Sequence, residues 1–145
     1  YTSYEIYTQS PTFLIWIILI CIFSDTGGFI IGKLIGGKKL TKISPNKTIA
    51  GSIGSFIFSL FPLIFFTYIK EFHFHDDIDL INLVLISLLL SLICQLGDLF
   101  VSYFKRKAKV KDTGNILPGH GGLLDRIDGL IFVLPSAFII HKIFF

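Results

Sequence analysis

Four stretches of this chain are apolar over enough residues to cross a lipid bilayer, and this restricts its fold more than any other feature. They are residues 6–24, 48–69, 80–97 and 129–145. A crossing needs about 20 predominantly apolar residues. In hydrocarbon every backbone N–H and C=O must find its partner inside the segment, so each stretch is expected to be a helix. Pro135 interrupts the fourth and is expected to kink it. The expectation is an all-α, polytopic integral membrane protein of about four transmembrane helices, residues 1–145 forming a single membrane domain. Composition agrees: 52% of the 145 residues are hydrophobic, the mean hydropathy is +0.75 and 16% are charged, against about a quarter charged in a soluble domain. The chain contains no methionine and begins at Tyr1, so it is expected to be part of a longer protein. Cys21 and Cys94 each lie in an apolar run without a nearby histidine or second cysteine, which argues for buried thiols over zinc or redox chemistry.

Charge is distributed unevenly between the connections. Residues 33–47 hold Lys33, Lys38, Lys39, Lys42 and Lys47 with no acid, and residues 105–128 hold Lys105, Arg106, Lys107, Lys109, Lys111 and Arg126. The intervening 70–79 connection carries Glu71, Asp76, Asp77 and Asp79 against one lysine, with His73 and His75 read as surface decoration. Positive connections stay inside. The two basic connections are therefore expected on the cytoplasmic face, where they can meet, and the acidic one outside. Both basic connections are also rich in glycine, which permits tight turns and close approach to a ligand.

Acids accompany these cations. Asp25 and Asp98 sit at the inner ends of the first and third apolar runs, and Asp125 and Asp128 are three residues apart, on one face of a helix starting near Leu123. An interfacial cap would account for one aspartate; four at one membrane depth point to function. Carboxylate oxygens suit Mg²⁺, usually held by one or two carboxylates plus substrate phosphates. Lys47, Lys105, Arg106, Lys111 and Arg126 surround the acids, and in KVKD and LLDRID the two signs interleave. A metal-bound polyphosphate needs both signs, so a polyanion site is expected here. His120, between glycines in PGHGG, can donate to phosphate, shuttle a proton or merely brace its turn. Two strings, 27–33 and 32–38, imitate a phosphate-binding loop but lack the hydroxyl that follows its lysine. In SPNKTIAGSIGS, Ser44, Lys47 and Thr48 precede a helix whose N-terminus can cradle phosphate, while Gly51 and Gly54 can equally serve close helix packing.

These residues together resemble the signature of the phosphatidate cytidylyltransferases, also called CDP-diacylglycerol synthases. Its elements are found here as Ser102, Lys105-Arg106, Lys111-Asp112, Pro118, His120-Gly121-Gly122, and Asp125-Arg126-x-Asp128. Gly97-Asp98-Leu99, Ser44-Pro45-x-Lys47-Thr48-x-x-Gly51 and the stretch after Asp25 match as well, so that the resemblance covers about residues 15–140; Gly28-Phe29 departs from the Ala-Tyr common in the family. The resemblance implies that the chain is the C-terminal catalytic part of a larger all-helical membrane enzyme, facing the cytoplasm from a bacterial inner or plasma membrane. It implies transfer of a cytidylyl group from CTP to phosphatidic acid, giving CDP-diacylglycerol and pyrophosphate. By the same implication Asp98, Asp125 and Asp128, with Asp25, hold Mg²⁺, with a second cation such as K⁺ as a further expectation. Lys111, Asp112 and His120 join the catalytic set, and Ser44, Lys47, Thr48, Ser102, Lys105, Arg106, Gly121, Gly122 and Arg126 bind substrate. The expected partners are CTP, phosphatidic acid and the bilayer, with no nucleic acid; a homodimer is compatible with this reading. The alternative is a CTP-dependent lipid kinase of the dolichol-kinase kind, which would release CDP. A CDP-alcohol phosphotransferase would need Asp-Gly-x-x-Ala-Arg, whereas Asp128-Gly129 is followed by Leu-Ile-Phe-Val. An ion transporter would place its acids near the midplane of broken helices, not beside cationic connections.

Overall fold

Ser10 and Pro11 divide the first apolar run. Proline disfavours helical backbone in the residue before it, and Ser10 is extended (φ −152°, ψ 91°), its hydroxyl accepting from the Phe13 amide at 3.3 Å. A short helix α1 (Thr2–Gln9) therefore precedes α2 (Pro11–Ile35). The remaining helices are α3 (Ile49–Phe58), α4 (Phe61–Tyr68), α5 (Leu80–Lys107) and α6 (Leu124–Phe144). This computed structural model describes residues 1–41, 44, 47–68, 79–110 and 124–144, the side chains of Gln9, Thr67, Leu124, Asp125 and Arg126 excepted. Four helical spans are long and apolar enough to cross a membrane: α2, α3 with α4, α5 and most of α6. The architecture is that of an all-α integral membrane protein.

The boundaries differ from the expected ones in three further places. First, α2 does not stop at Ser24 but runs on through Asp25 and the glycines to Ile35. Those glycines pack against another helix and make no loop, so the string 27–33 that imitates a phosphate loop is helical. Second, the run from Thr48 breaks at Ser59 and Leu60, just before Pro62, giving α3 and α4. Third, α5 continues past Gly97 to Lys107. Residues 80–97 alone span about 27 Å at 1.5 Å per residue, close to the hydrocarbon thickness of about 30 Å, so the last turns with their lysines project beyond it. At the end of α5, Lys109 takes a left-handed conformation (φ 57°) and the Val110 amide closes back on the Lys105 carbonyl at 3.0 Å, a Schellman closure that terminates the helix. α6 runs through Pro135; Ser136 Oγ donates to the Phe132 carbonyl at 2.9 Å.

Each long helix buries one stripe at helical spacing. On α2 it is Phe13, Trp16, Ile17, Ile20, Cys21, Ser24 and Gly27, and on α5 Leu83, Ile86, Leu90, Cys94 and Gly97. Their other faces are also apolar, exposing Ile15, Ile22, Leu85, Leu89 and Leu96. A helix apolar all round belongs in lipid or a large core. Cys21 and Cys94 are buried free thiols. Phe13 packs against His141 with ring centroids 5.0 Å apart, placing the start of α2 beside the end of α6, while the Ser24 and Ser91 hydroxyls share a hydrogen bond at 2.8 Å. Thus α2 and α5 run one way, and α3, α4 and α6 return. The basic C-terminal ends of α2 and α5 emerge at the same end of the bundle.

Glycine sets how closely the helices approach. A Cβ on Gly51 would lie 2.8 Å from the Gly28 carbonyl oxygen, and one on Gly54 2.9 Å from the Gly27 carbonyl oxygen, so α2 and α3 touch backbone to backbone. Gly97 fits against the Phe132 ring, and Gly129 against the Cys94 sulfur, drawing α5 and α6 together. Both of these glycines are sequence neighbours of acids, Asp98 and Asp128. Without a hydrophobic force between helices in lipid, such close packing is a main source of association.

Candidate active site

After α2 the chain reverses through Gly36 and Gly37, both at positive φ (63° and 93°), a conformation that favours glycine. It then folds back on itself: the Leu40 amide bonds the Lys47 carbonyl at 2.8 Å, the Ile49 amide bonds the Lys38 carbonyl at 3.1 Å, and Lys39 and Thr48 form an antiparallel bridge. Thr48 caps α3, its hydroxyl accepting from the Gly51 amide at 3.0 Å. This strap turns Lys47 inward, where its ammonium pairs with the Asp98 carboxylate of α5. The α3 amides of Ile49, Gly51 and Ser52 are satisfied within the chain; Lys47 therefore offers the positive charge at this helix start.

The strap closes one side of a cavity of about 330 Å³ between α2, α3, α5 and α6. Asp25, Ser44, Lys47, Thr48, Asp98 and Asp128 all line it, so six residues singled out from four separate stretches converge. Asp128, on the first turns of α6, is buried; one of its oxygens accepts from the Gly129 amide at 2.9 Å and the other lies 3.7 Å from the Lys105 ammonium. Asp98 lies within hydrogen-bonding reach of Asp128, and Asp98 and Lys47 are the charged neighbours of Asp25. The arrangement alternates in sign: Lys47 against Asp98, Lys105 against Asp128. Arg106 is exposed at the end of α5, and Ser102 lies one turn before Lys105, part-buried.

Lys111, Asp112, His120, Gly121 and Gly122 lie outside the described residues, as do His73 and His75. Asp125 and Arg126 stand in the first turn of α6, consistent with a helix start near Leu123, but their side chains are outside the description.

Among the described residues no three His, Cys, Asp or Glu side chains form a self-sufficient metal site. Two facing carboxylates, Asp98 and Asp128, nevertheless fit Mg²⁺, which keeps few protein ligands and fills its octahedron with substrate phosphates and water. A protein-only cage, as a structural metal would need, is not what these donors resemble.

Three further polar side chains line the cavity that charge does not mark in the sequence: Ser52, Ser55 and Gln95. Ser52 Oγ donates to Gln95 Oε1 at 2.5 Å, and Gln95 Nε2 donates to Ser91 Oγ at 3.4 Å. The available signal was Gln95 itself, an amide inside the apolar run 80–97; polar groups within a membrane helix are costly and tend to be functional.

Comparison with known proteins covers the site from both sides. The family model described as the cytidylyltransferase family matches residues 2–144. Among curated relatives, the phosphatidate cytidylyltransferase of Staphylococcus saprophyticus is 45% identical over 134 residues, 91% of this chain and 50% of the relative. That of Staphylococcus haemolyticus is 46% identical over 124 residues, 85% and 46% respectively, and that of Staphylococcus aureus 45% identical over 133 residues, 91% and 50%. The chain thus spans about half the length of the curated relatives it matches. The match takes in the helices on both walls of the cavity and the strap between them, and it follows that this chain belongs to the cytidylyltransferase family.

Proposed function

We propose that this chain carries the site at which a phosphatidate cytidylyltransferase transfers the cytidylyl group of CTP to phosphatidic acid. The observation that supports it best is the alternation of charge at the end of the bundle, where Lys47, Asp98 and Asp128 line one cavity and Lys105 pairs with Asp128. A phosphate monoester is already a nucleophile near neutral pH and needs positioning more than a base. One of its oxygens attacks the α-phosphorus of CTP; the new P–O bond forms as the bond to the β-phosphate breaks, and pyrophosphate leaves with the electron pair.

Lys47 and Lys105 exchange their carboxylate partners for phosphate oxygens when substrate enters, and so hold the triphosphate and the lipid phosphate in one place. Asp98 and Asp128, released by those lysines, are the groups that would hold Mg²⁺. Bound there, Mg²⁺ supplies neutralisation of charge on the attacking and leaving oxygens. The apolar outer faces of α2 and α5 keep the acyl chains in the bilayer while the headgroup meets CTP at the basic, cytoplasmic end of the bundle.

The experiment uses the full gene product in nanodiscs with Mg²⁺, phosphatidic acid and CTP labelled at the α-phosphorus. The label is expected in the lipid fraction, with pyrophosphate released. Label remaining in water-soluble nucleotide, from folded protein, would overturn the reading; transfer from γ-labelled CTP would instead identify a lipid kinase.

A further inference from the structure

Below the charged residues the cavity has a neutral polar level. Gln95 precedes Asp98 by one turn of α5, about 4.5 Å towards the hydrocarbon, and Ser52 follows Thr48 by about 6 Å along α3. Ser91 lies a further turn down α5. The groups are ordered by one another: Ser52 donates to the Gln95 carbonyl oxygen, Gln95 Nε2 donates to Ser91, and Ser91 shares a hydrogen bond with Ser24 at 2.8 Å. This chain fixes the amide with its nitrogen as the donor. Its second N–H has no partner among the described residues, although Gln95 lines the cavity and is only 8% exposed. A buried donor of this kind is retained where something else accepts from it. Asp25, beside Cys94 on the same wall, is an acceptor when ionised and cannot meet a carbonyl oxygen.

The position indicates which substrate presents that acceptor. Nucleotide phosphates belong with Lys47 and Lys105, at the water side. A lipid phosphate held by the same lysines has its glycerol ester carbonyls a few covalent bonds away, on the hydrocarbon side. We infer that Gln95, oriented by Ser52 and Ser91, donates to an ester carbonyl of the lipid substrate and makes the site selective for acyl-ester over alkyl-ether phosphatidates. This rests on the proposed function and names a specificity determinant within it.

The test compares diacyl phosphatidate with its dialkyl-ether analogue, in which each ester carbonyl is a methylene, using the full gene product in nanodiscs. Turnover with CTP gives KM for each lipid, and native mass spectrometry gives lipid binding without nucleotide. The wild type is expected to favour the diacyl lipid by about fivefold, the effect of one neutral hydrogen bond. Gln95→Met, similar in volume but unable to donate, is expected to bring that ratio to about one with KM for CTP unchanged. Ser52→Ala, which removes the orienting hydroxyl and little volume, is expected to reduce the ratio as well and serves if Gln95→Met does not fold. An unchanged ratio in a folded variant overturns the inference while turnover preserves the proposed function. A raised KM for CTP with lipid KM unchanged also overturns it, assigning the amide to the nucleotide. If no CDP-lipid forms but binding retains the Gln95-dependent preference, the function fails and the inference stands.

Discussion

Asp98→Asn is expected to lower cytidylyl transfer by about 10²–10³-fold, the range seen when one electrostatic contact to a transition state is removed, and to leave the helical fold intact. The substitution keeps the shape of the side chain, so the packing of Gly97 against Phe132 is unaffected. What changes is charge. Asp98 pairs with Lys47, lies within hydrogen-bonding reach of Asp128 and is a charged neighbour of Asp25, so its charge bears on each of them. Asparagine offers one neutral oxygen where the site needs an anionic ligand, and it leaves Lys47 without its anionic resting partner. The fold is expected to tolerate the change because both members of the pair keep access to water (28% and 26% exposed) and the asparagine carbonyl still accepts from Lys47. The measurement is lipid-phase label from α-labelled CTP beside a thermal unfolding curve. A variant that unfolds like wild type and keeps more than about a tenth of its rate would remove Asp98 from the chemistry.

The polar half of this picture was readable because charge is expensive beside a membrane. Asp25, Asp98 and Asp128 stood out against apolar runs, and Lys47 and Lys105 stood out beside them; Asp25, Asp98, Asp128 and Lys47 line one cavity, and Lys105 pairs with Asp128. The number and class of the spans were readable for the same reason, since hydrocarbon admits few backbone solutions. The helix ends were not. Glycines at 27, 28 and 32 suggest a loop when read singly, but in the fold they are the surface that admits α3, and the helix continues because its own carbonyls remain satisfied. Ser10-Pro11 had the chemistry of a helix start, yet it lies in a run, 6–24, that carries no charge and so read as one span. Gln95 and Ser52 escaped because neither is charged; their significance appears only when α3 and α5 are set side by side.

The same geometry makes Gly54→Leu the most damaging substitution expected outside the cavity. A Cβ at this position would lie 2.5 Å from Ile31 Cβ and 2.9 Å from the Gly27 carbonyl oxygen, and a Cβ on Gly27 would in turn collide with Phe58 Cβ. Neither a β-branched carbon nor a backbone carbonyl can swing aside, so α2 and α3 must separate. Overpacking a well-filled interface costs about 1–3 kcal/mol, and more where backbone blocks relief; here the upper end or beyond is expected. Lipid offers no hydrophobic force to hold the pair together once close contact is lost. Separation would also carry Lys47 and Thr48 away from Asp98, so binding of CTP should fall with stability. Leu is chosen because it remains compatible with hydrocarbon, which leaves the interface as the cause. Ile57→Ala, on the exposed face of the same helix at 55% accessibility, is the control and is expected to be nearly neutral. The check is the unfolding midpoint of each variant in nanodiscs. For a chain of this size 1 kcal/mol corresponds to about 2–4 °C, so Gly54→Leu should melt several degrees or more below Ile57→Ala. Equal midpoints would mean that the helices do not meet through Gly27 and Gly54.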